Sequence, residues 1–187
     1  MKTPIHSNHL LSRQRGATLI EALVAVLILA LGLLAMGGMM AYAIQIPKMA
    51  GNRSVAVNIG MELIERMRTN TAAYKASNNA YTTSLTYDGS SDAPDPTLGV
   101  CSFPNCTAAT LAAMDLAWAQ RQLRLQLPAG GYSIETTPGS TAGNLWILWQ
   151  EVGALGSFAT STSDICPATA SSYTDPQPRC LLIPFRL

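Results

Sequence analysis

The sequence predicts an α+β protein with one long N-terminal helix and a small head of one helix and an antiparallel sheet. Three observations support this fold class. Residues 22–44 are apolar and uncharged, two later segments repeat apolar residues at helical spacing, and three runs near the C-terminus are rich in β-forming residues. The length of 187 residues leaves room for one head, so we count a single folded domain beyond the long helix.

The uncharged run is long enough to cross a membrane. As a helix rising ~1.5 Å per residue, residues 22–44 extend ~34 Å, whereas the hydrocarbon layer is ~30 Å thick. The apolar core of a cleaved secretory signal is shorter, at ~7–15 residues. Lys2, Arg13 and Arg15 precede the run and residues 1–16 contain no acid, so the positive-inside rule places the N-terminus in the cytoplasm and the rest across the membrane. A buried soluble helix is the alternative, but such helices rarely lack a polar face over this length.

Glu21 lies directly before the uncharged run. One interpretation is that Glu21 lies at the depth of the membrane interface and is a tolerated boundary charge. The other is that it has a specific partner, because a charge inside a membrane helix costs ~2.5–3.5 kcal/mol on insertion scales and acids kept there tend to be paired. The residues alone leave both interpretations open.

The helix is predicted to continue beyond the membrane run. Pro47 removes a backbone donor and predicts a kink there. Further on, apolar residues recur every four positions, as in Val55, Ile59, Leu63 and Met67. The faces between them are polar, with Arg53, Glu62, Glu65, Arg66 and Arg68. In the membrane part, glycines permit the close approach of other helices, although glycine is common in membrane helices generally; these are Gly32, Gly37 and Gly38.

A polar segment and a second helix are predicted next. Residues 70–100 are rich in Ser, Thr, Asn, Asp, Gly and Pro, which indicates loop with a short strand near Tyr81 to Tyr87. Residues 107–127 follow a helical period, and Pro128 ends them. This helix has one apolar face of Leu111, Met114, Trp118 and Leu125 and another of Leu116, Leu123 and Leu127. We therefore expect it to lie between two layers, with Trp118 in the core.

The C-terminal part is predicted to form the sheet. "GYSIETT" and "NLWILWQEV" are separated by "PGSTAG" and suit a hairpin, and "CLLIPFRL" supplies a third strand. Trp146 and Trp149 fall on opposite faces of one strand, so we expect one of them to be exposed as a contact candidate.

The N-terminal stretch "RGATLIEALVAVLILALGLL" resembles the class III signal of type IV pilins and pseudopilins. The resemblance implies that a prepilin peptidase cuts after Gly16 and that Ala17 is then N-methylated, although the family most often has Phe at that position. It divides the chain into a cleaved leader, 1–16, a long helix, 17–69, whose membrane part is about 17–44, and a periplasmic or extracellular head, 70–187. In this family the carboxylate matching Glu21 pairs with the new α-amino group of a neighbouring subunit.

Residues 101–151 resemble a narrower group. A cysteine pair, "MDLAWAQRQLRLQLPAGGYSIE" and "LWILWQE" are similar to the head of the PilV type of minor pilin. That resemblance implies a subunit that joins other minor pilins in a complex that primes type IV pilus assembly, is located at the filament tip, and supports adhesion and twitching motility. Its expected partners are prepilin peptidase, other minor pilins, the major pilin, the inner-membrane assembly platform and the lipid bilayer. The expected location is the inner membrane, single-pass, and then the pilus fibre.

Two other functions remain open at this point. A minor pseudopilin of type II secretion would share the leader, the cleavage and the helix. An uncleaved, membrane-anchored periplasmic binding protein would make Gly16 and Glu21 incidental.

The four cysteines all lie beyond the membrane run. In an oxidising periplasm an even count favours disulfides, and of three possible pairings the local one closes the shortest loops. That pairing joins Cys101 to Cys106 and Cys166 to Cys180. A zinc site is disfavoured because C-x4-C and C-x13-C lack the tight spacing of zinc knuckles.

Catalysis, metals and nucleic acid are not expected. His6 and His9 lie in the leader, so a mature chain has no histidine for a nucleophile pair or a metal site. "DGSSDAPDP" lacks the Glu that closes a calcium loop, and we interpret its acids as solvated. Cleavage would remove three of twelve basic residues and none of eleven acids, leaving a net charge of −2 and no basic run for nucleic acid. We expect no enzyme and no cofactor.

Overall fold

The structure is a computed structural model, and it describes residues 18–76, 79–89, 101, 105–136, 140–151, 164–173 and 177–187. The leader, Gly16 and Ala17 lie outside the described residues, as do residues 90–100. The chain divides into two compact units, Met1–Ile44 and Gln45–Leu187, and each is described by itself.

Helix α1 spans Leu19–Thr69 and contains Pro47. Its buried residues all follow position 55 and recur every three or four residues, as the sequence predicted: Ala56, Ile59, Gly60, Leu63, Ile64 and Met67. Gly60 is needed for close packing, because a Cβ atom there would lie 2.5 Å from Cδ1 of Ile183. The sheet therefore lies directly against this turn of the helix.

A short helix α2, Thr71–Lys75, leads into an extended segment that ends at Gly89. The strand predicted near Tyr81 to Tyr87 is reduced to an isolated bridge between Thr83 and Ile134. The backbone N–H of Thr86 also donates to the carbonyl of Tyr132 at 2.9 Å. These bonds anchor the segment to the sheet without forming a ladder, and its aromatic side chains are buried in two clusters, Tyr81 in one and Tyr87 in the other.

Helix α3 spans Ala108–Gln126. Thr107 caps it, since its hydroxyl accepts a hydrogen bond from the Thr110 N–H at 3.1 Å. One face is buried and consists of Ala112, Asp115, Ala119 and Leu123. The expectation of two buried faces is wrong, because Leu111 and Leu125 on the other face are 39% and 61% exposed.

The sheet contains three antiparallel strands, β1 (Gly131–Thr136), β2 (Ala142–Trp149) and β3 (Arg179–Arg186), in the order β1-β2-β3. The predicted α+β class and the hairpin with a third strand are confirmed. In the register, Leu145 of β2 lies between Ile134 of β1 and Ile183 of β3. This apolar row packs on the same core cluster as α1 and α3.

Both faces of the sheet are covered. Leu145, Ile147 and Trp149 pack with the helices, whereas Trp146 and Leu148 alternate onto a second cluster. That second cluster, here called the far-face cluster, also contains Tyr87, Ala129, Ala170 and Cys180. Ala170 belongs to a 3-10 helix, Ala168–Ser172, in the segment before β3. The prediction that one tryptophan is exposed is wrong, since Trp146 and Trp149 expose 6% and 3%.

Candidate assembly interface

The N-terminal unit presents an apolar helical surface. Between Leu19 and Met40, the large apolar side chains of α1 expose half or more of their surface. By length and composition, this is the one helix in the described part of the chain that is able to cross a membrane, and none of its apolar window is buried within the molecule. A surface of this kind needs lipid or other helices around it.

Glu21 lies in the first turn of α1. Its backbone N–H donates to the carbonyl of Thr18 at 3.0 Å, and its side chain is exposed. Among the described residues, no ion pair involves its carboxylate. A carboxylate at the start of an apolar surface therefore remains available to a group outside this part of the chain.

The glycines of the apolar segment leave open surface. A Cβ atom added at Gly32, Gly37 or Gly38 would meet nothing within 4 Å. Glycine without a structural neighbour permits the backbone of another helix to come close, which is how helices associate in lipid.

Two protein-family models match this chain. The model of the prokaryotic N-terminal methylation motif matches residues 11–37, and the model described as type IV pilin Tt1218 matches residues 38–117. The two matches adjoin and together extend over residues 11–117. Over these residues the chain is similar to type IV pilins. No curated protein and no solved structure matches it at a significant level.

The methylation-motif match covers the N-terminal features that the sequence singled out. It contains Gly16, Ala17 and Glu21 as well as residues 22–37 of the apolar run. Pilins with this motif are processed by prepilin peptidase and act in the context of pilus assembly, and the family is in general structural. The apolar helix and the motif agree with membrane anchoring.

In the C-terminal unit, a polar network joins α1 to α3. The carboxylate of Asp115, which is 7% exposed, accepts a hydrogen bond from the Tyr81 hydroxyl at 2.7 Å and lies 3.5 Å from the Arg66 guanidinium. Asn70 donates to the same hydroxyl at 3.0 Å and to the carbonyl of Ala108 at 2.8 Å. The Arg66 guanidinium also covers the Trp118 ring, 4.0 Å from its centroid.

The pKa of the Tyr81 hydroxyl is shifted by burial and by the Asp115 carboxylate. Removal from water is the larger cause, and together with the hydrogen bond to Asp115 it raises the pKa of Tyr81 well above its ordinary value. Sequence patterns do not indicate this network, because Asp115 and Tyr81 lie 34 residues apart in the chain.

Glu151 is a second buried carboxylate, at the end of β2. One oxygen accepts from the Asn52 amide at 3.2 Å and the other from the Trp149 indole N–H at 3.1 Å. The bond to Asn52 spans 99 residues and holds β2 against α1. Nothing in the local sequence distinguishes Glu151 from a solvated acid, because its partner is distant in the chain.

The structure contains the local disulfide pairing, Cys101 with Cys106 and Cys166 with Cys180. The second bridge joins the segment before β3 to the strand itself, and Cys180 lies in the far-face cluster beside Trp146. Asp164 supports the same segment, since its carboxylate accepts from the Cys180 N–H at 3.1 Å and pairs with Arg179 at 2.9 Å. The bridge therefore helps to cover one face of the sheet.

Of the acids considered for calcium, the structure describes Asp88. Asp88 pairs with Arg124 at 2.9 Å, whereas Asp92 and Asp95 lie outside the described residues. The Arg124 side chain is nearly buried and also donates to the carbonyl of Thr86, so it fastens the extended segment to α3 and is not a solvated face of the helix. In the part of the chain that the structure describes, no three His, Cys, Asp or Glu residues are grouped to hold a metal.

Proposed function

We propose that this chain is a minor pilin that helps to prime and assemble the type IV pilus, in an initiation or tip complex with other minor pilins. The observation that carries the proposal is Glu21, an exposed carboxylate without an ion-pair partner among the described residues, at the start of an unburied apolar helix. Before assembly the protein is anchored in the inner membrane with its N-terminus in the cytoplasm and its head in the periplasm.

Processing supplies the partner of Glu21. A cut after Gly16 removes Lys2, Arg13 and Arg15 and leaves a cationic α-amino group on Ala17, which is then methylated. In a bundle of such helices, the Glu21 carboxylate of one subunit neutralises the α-amino group of the next. Leaving either charge buried alone costs several kcal/mol, so the pair penalises a wrong axial register between subunits. Gly32, Gly37 and Gly38 allow the helices of the bundle to approach.

Substitution of Glu21 tests the assembly role. We expect Glu21→Ala and Glu21→Gln chains to be cleaved normally yet to enter pili poorly, because neither provides the negative charge. Glu21→Asp is the matched control, since it keeps the charge and shortens the side chain, and we expect partial incorporation. Normal piliation and normal incorporation of the Glu21→Gln chain would refute the pairing.

The mass of the membrane-extracted chain tests the processing itself. With active prepilin peptidase we expect a chain that begins at Ala17 and carries one additional methyl group, and without the enzyme a chain that begins at Met1. A chain that begins at Met1 despite active enzyme identifies a simple anchored protein and removes the basis for assembly. Loss of the gene should reduce surface pili; a defect in protein secretion with normal pili would instead assign the chain to type II secretion.

A further inference from the structure

The solvent face of α3 is apolar. Leu111, Met114, Trp118, Arg121 and Leu125 are spaced by three and four residues, so they form one stripe, here called the α3 outer face. Leu111 and Leu125 are exposed, and Met114 and Trp118 are half-buried. Exposed helix faces of monomeric proteins usually carry polar and charged residues, and a contiguous apolar stripe marks a contact surface.

Arg121 provides the only exposed charge of α3. The helix has two other charged residues, Asp115 and Arg124, and both side chains are nearly buried in ion pairs. Arg121 has no ion-pair partner among the described residues. The α3 outer face is therefore an apolar surface with one uncompensated positive charge.

Trp118 anchors the centre of this surface. Its ring is fixed against the core by the Arg66 guanidinium, which is itself held by Asp115 and Glu62. A rigid, half-exposed tryptophan loses little conformational freedom on binding, and tryptophan and arginine dominate the binding energy of many interfaces.

The same unit has a second apolar surface, which contains a negative charge instead of a positive one. Val57, Met61 and Glu65 lie one turn apart on α1 and form a second stripe, here called the α1 outer face. Val57 and Met61 are 39% and 46% exposed, and the Glu65 side chain is 56% exposed. Glu65 pairs with Arg68 in an exposed contact of a kind that contributes little to stability, so its carboxylate is available to another cation.

We infer that the α3 outer face of one copy of this chain binds the α1 outer face of a second copy. Apolar side chains meet apolar side chains, and Arg121 meets Glu65 of the other copy. Contact between two α3 outer faces is disfavoured, because it offers Arg121 no exposed acid of α3: the one acid of that helix, Asp115, is buried against Arg66. The inference goes beyond the proposed function, since both faces belong to the head and neither uses Glu21.

The size of the stripes sets the conditions of the test. Helix α3 is ~28 Å long, so its contact is smaller than the ~800 Å² per partner of a standard interface. Anchoring in one membrane raises the effective concentration of the two heads and compensates for a weak contact. The full chain in its membrane is therefore the correct sample.

Cysteine crosslinking tests the contact directly. The structure has no free cysteine, so introduced thiols report on the contact alone. Two differently tagged chains, one with Met61→Cys and one with Leu125→Cys, are expressed together and oxidised in membranes. The matched control replaces Leu125→Cys by Ser171→Cys, because Ser171 is exposed, lies outside both faces and is not adjacent to a disulfide cysteine. We expect several-fold more mixed dimer from the first pair.

Charge exchange separates specific contact from collision. Arg121→Glu in the Leu125→Cys chain should lower the yield of mixed dimer, and Glu65→Arg in the Met61→Cys chain should restore it. Equal yields with Ser171→Cys, dominant crosslinks between two Leu125→Cys chains, or crosslinks to a different protein only would each overturn the inference. These results are independent of pilus formation, so failure here is distinguishable from failure of the assembly role of Glu21.

Discussion

Arg66 of α1 and Asp115 of α3 approach to 3.5 Å in the head, and the same carboxylate binds the hydroxyl of Tyr81. Three parts of the chain that are remote in sequence thus converge on one buried acid. Because a buried carboxylate without partners is costly, this convergence fixes the helices and the extended segment in one arrangement.

We predict that Asp115→Ala lowers the free energy of unfolding by about 2–3 kcal/mol, because it leaves the hydrogen of the Tyr81 hydroxyl without an acceptor and removes an ion-pair partner of Arg66. Urea titration of the full chain in detergent measures this. Glu65→Ala, which removes an exposed ion pair with Arg68, serves as the control and should cost less than about 0.5 kcal/mol. Equal effects of the two substitutions would show that the Asp115 network does not stabilise the head.

Gly60 and Gly51 provide a matched pair on α1. We predict that Gly60→Ala destabilises the head by about 1–3 kcal/mol, since the added methyl group would overlap Ile183 on β3. Gly51→Ala meets nothing within 4 Å and should stabilise the helix by about 0.5–1 kcal/mol. Thermal unfolding of both variants measures these changes in stability. A change of the same sign in both variants would contradict the close packing at Gly60.

The two disulfides should differ in their effect. In the chain-entropy model, replacing Cys166 and Cys180 by serine lowers the free energy of unfolding by about 3 kcal/mol, because this bridge closes a loop between two residues that are 14 apart in the chain. The bridge from Cys101 to Cys106, 5 residues apart, closes a shorter loop and should cost about 2 kcal/mol. We also expect loss of the longer bridge alone to expose Trp146, which fluorescence quenching by iodide measures. Unchanged quenching would show that the segment covers the sheet without the bridge.

Alkaline pH should destabilise the head. Burial raises the pKa values of Tyr74, Tyr81, Tyr87 and Tyr132 above the ordinary value of about 10, which the unfolded chain retains. Their contribution to stability is complete below pH ~10 and is lost as the pH rises from there towards the folded pKa values, because only the unfolded state releases its protons.

Unfolding free energies measured between pH 8 and 11 test this dependence. We expect a plateau up to about pH 10 and a fall above it, with a shallower fall in Tyr81→Phe and Tyr132→Phe variants. Absorbance of tyrosinate that develops fully before unfolding begins would contradict the burial of these hydroxyl groups.

The sequence predicted the elements whose signal is local. Val55, Ile59, Leu63 and Met67 indicated the buried side of α1, and the β-rich runs indicated three strands, because periodicity reports which side of an element faces a core. Local patterns failed where a distant segment provided the environment. The alternation of β2 predicted that either Trp146 or Trp149 is exposed. Both are buried, because residues around Ala170 and Cys180 cover the second face of the sheet. Conversely, Leu111 and Leu125 have the spacing of a buried face, and no described element of the chain covers them.

By itself, the sequence determined the membrane-length helix, the acid at its start and the α+β class, because length, charge and period are properties of a short stretch of chain. The tertiary structure decided which charges are buried. Asp115 meets Tyr81 across 34 residues and Glu151 meets Asn52 across 99, and these distances in the chain leave no local pattern. Packing alone brings such groups together, since a buried carboxylate is stable only where folding has also placed donors around it.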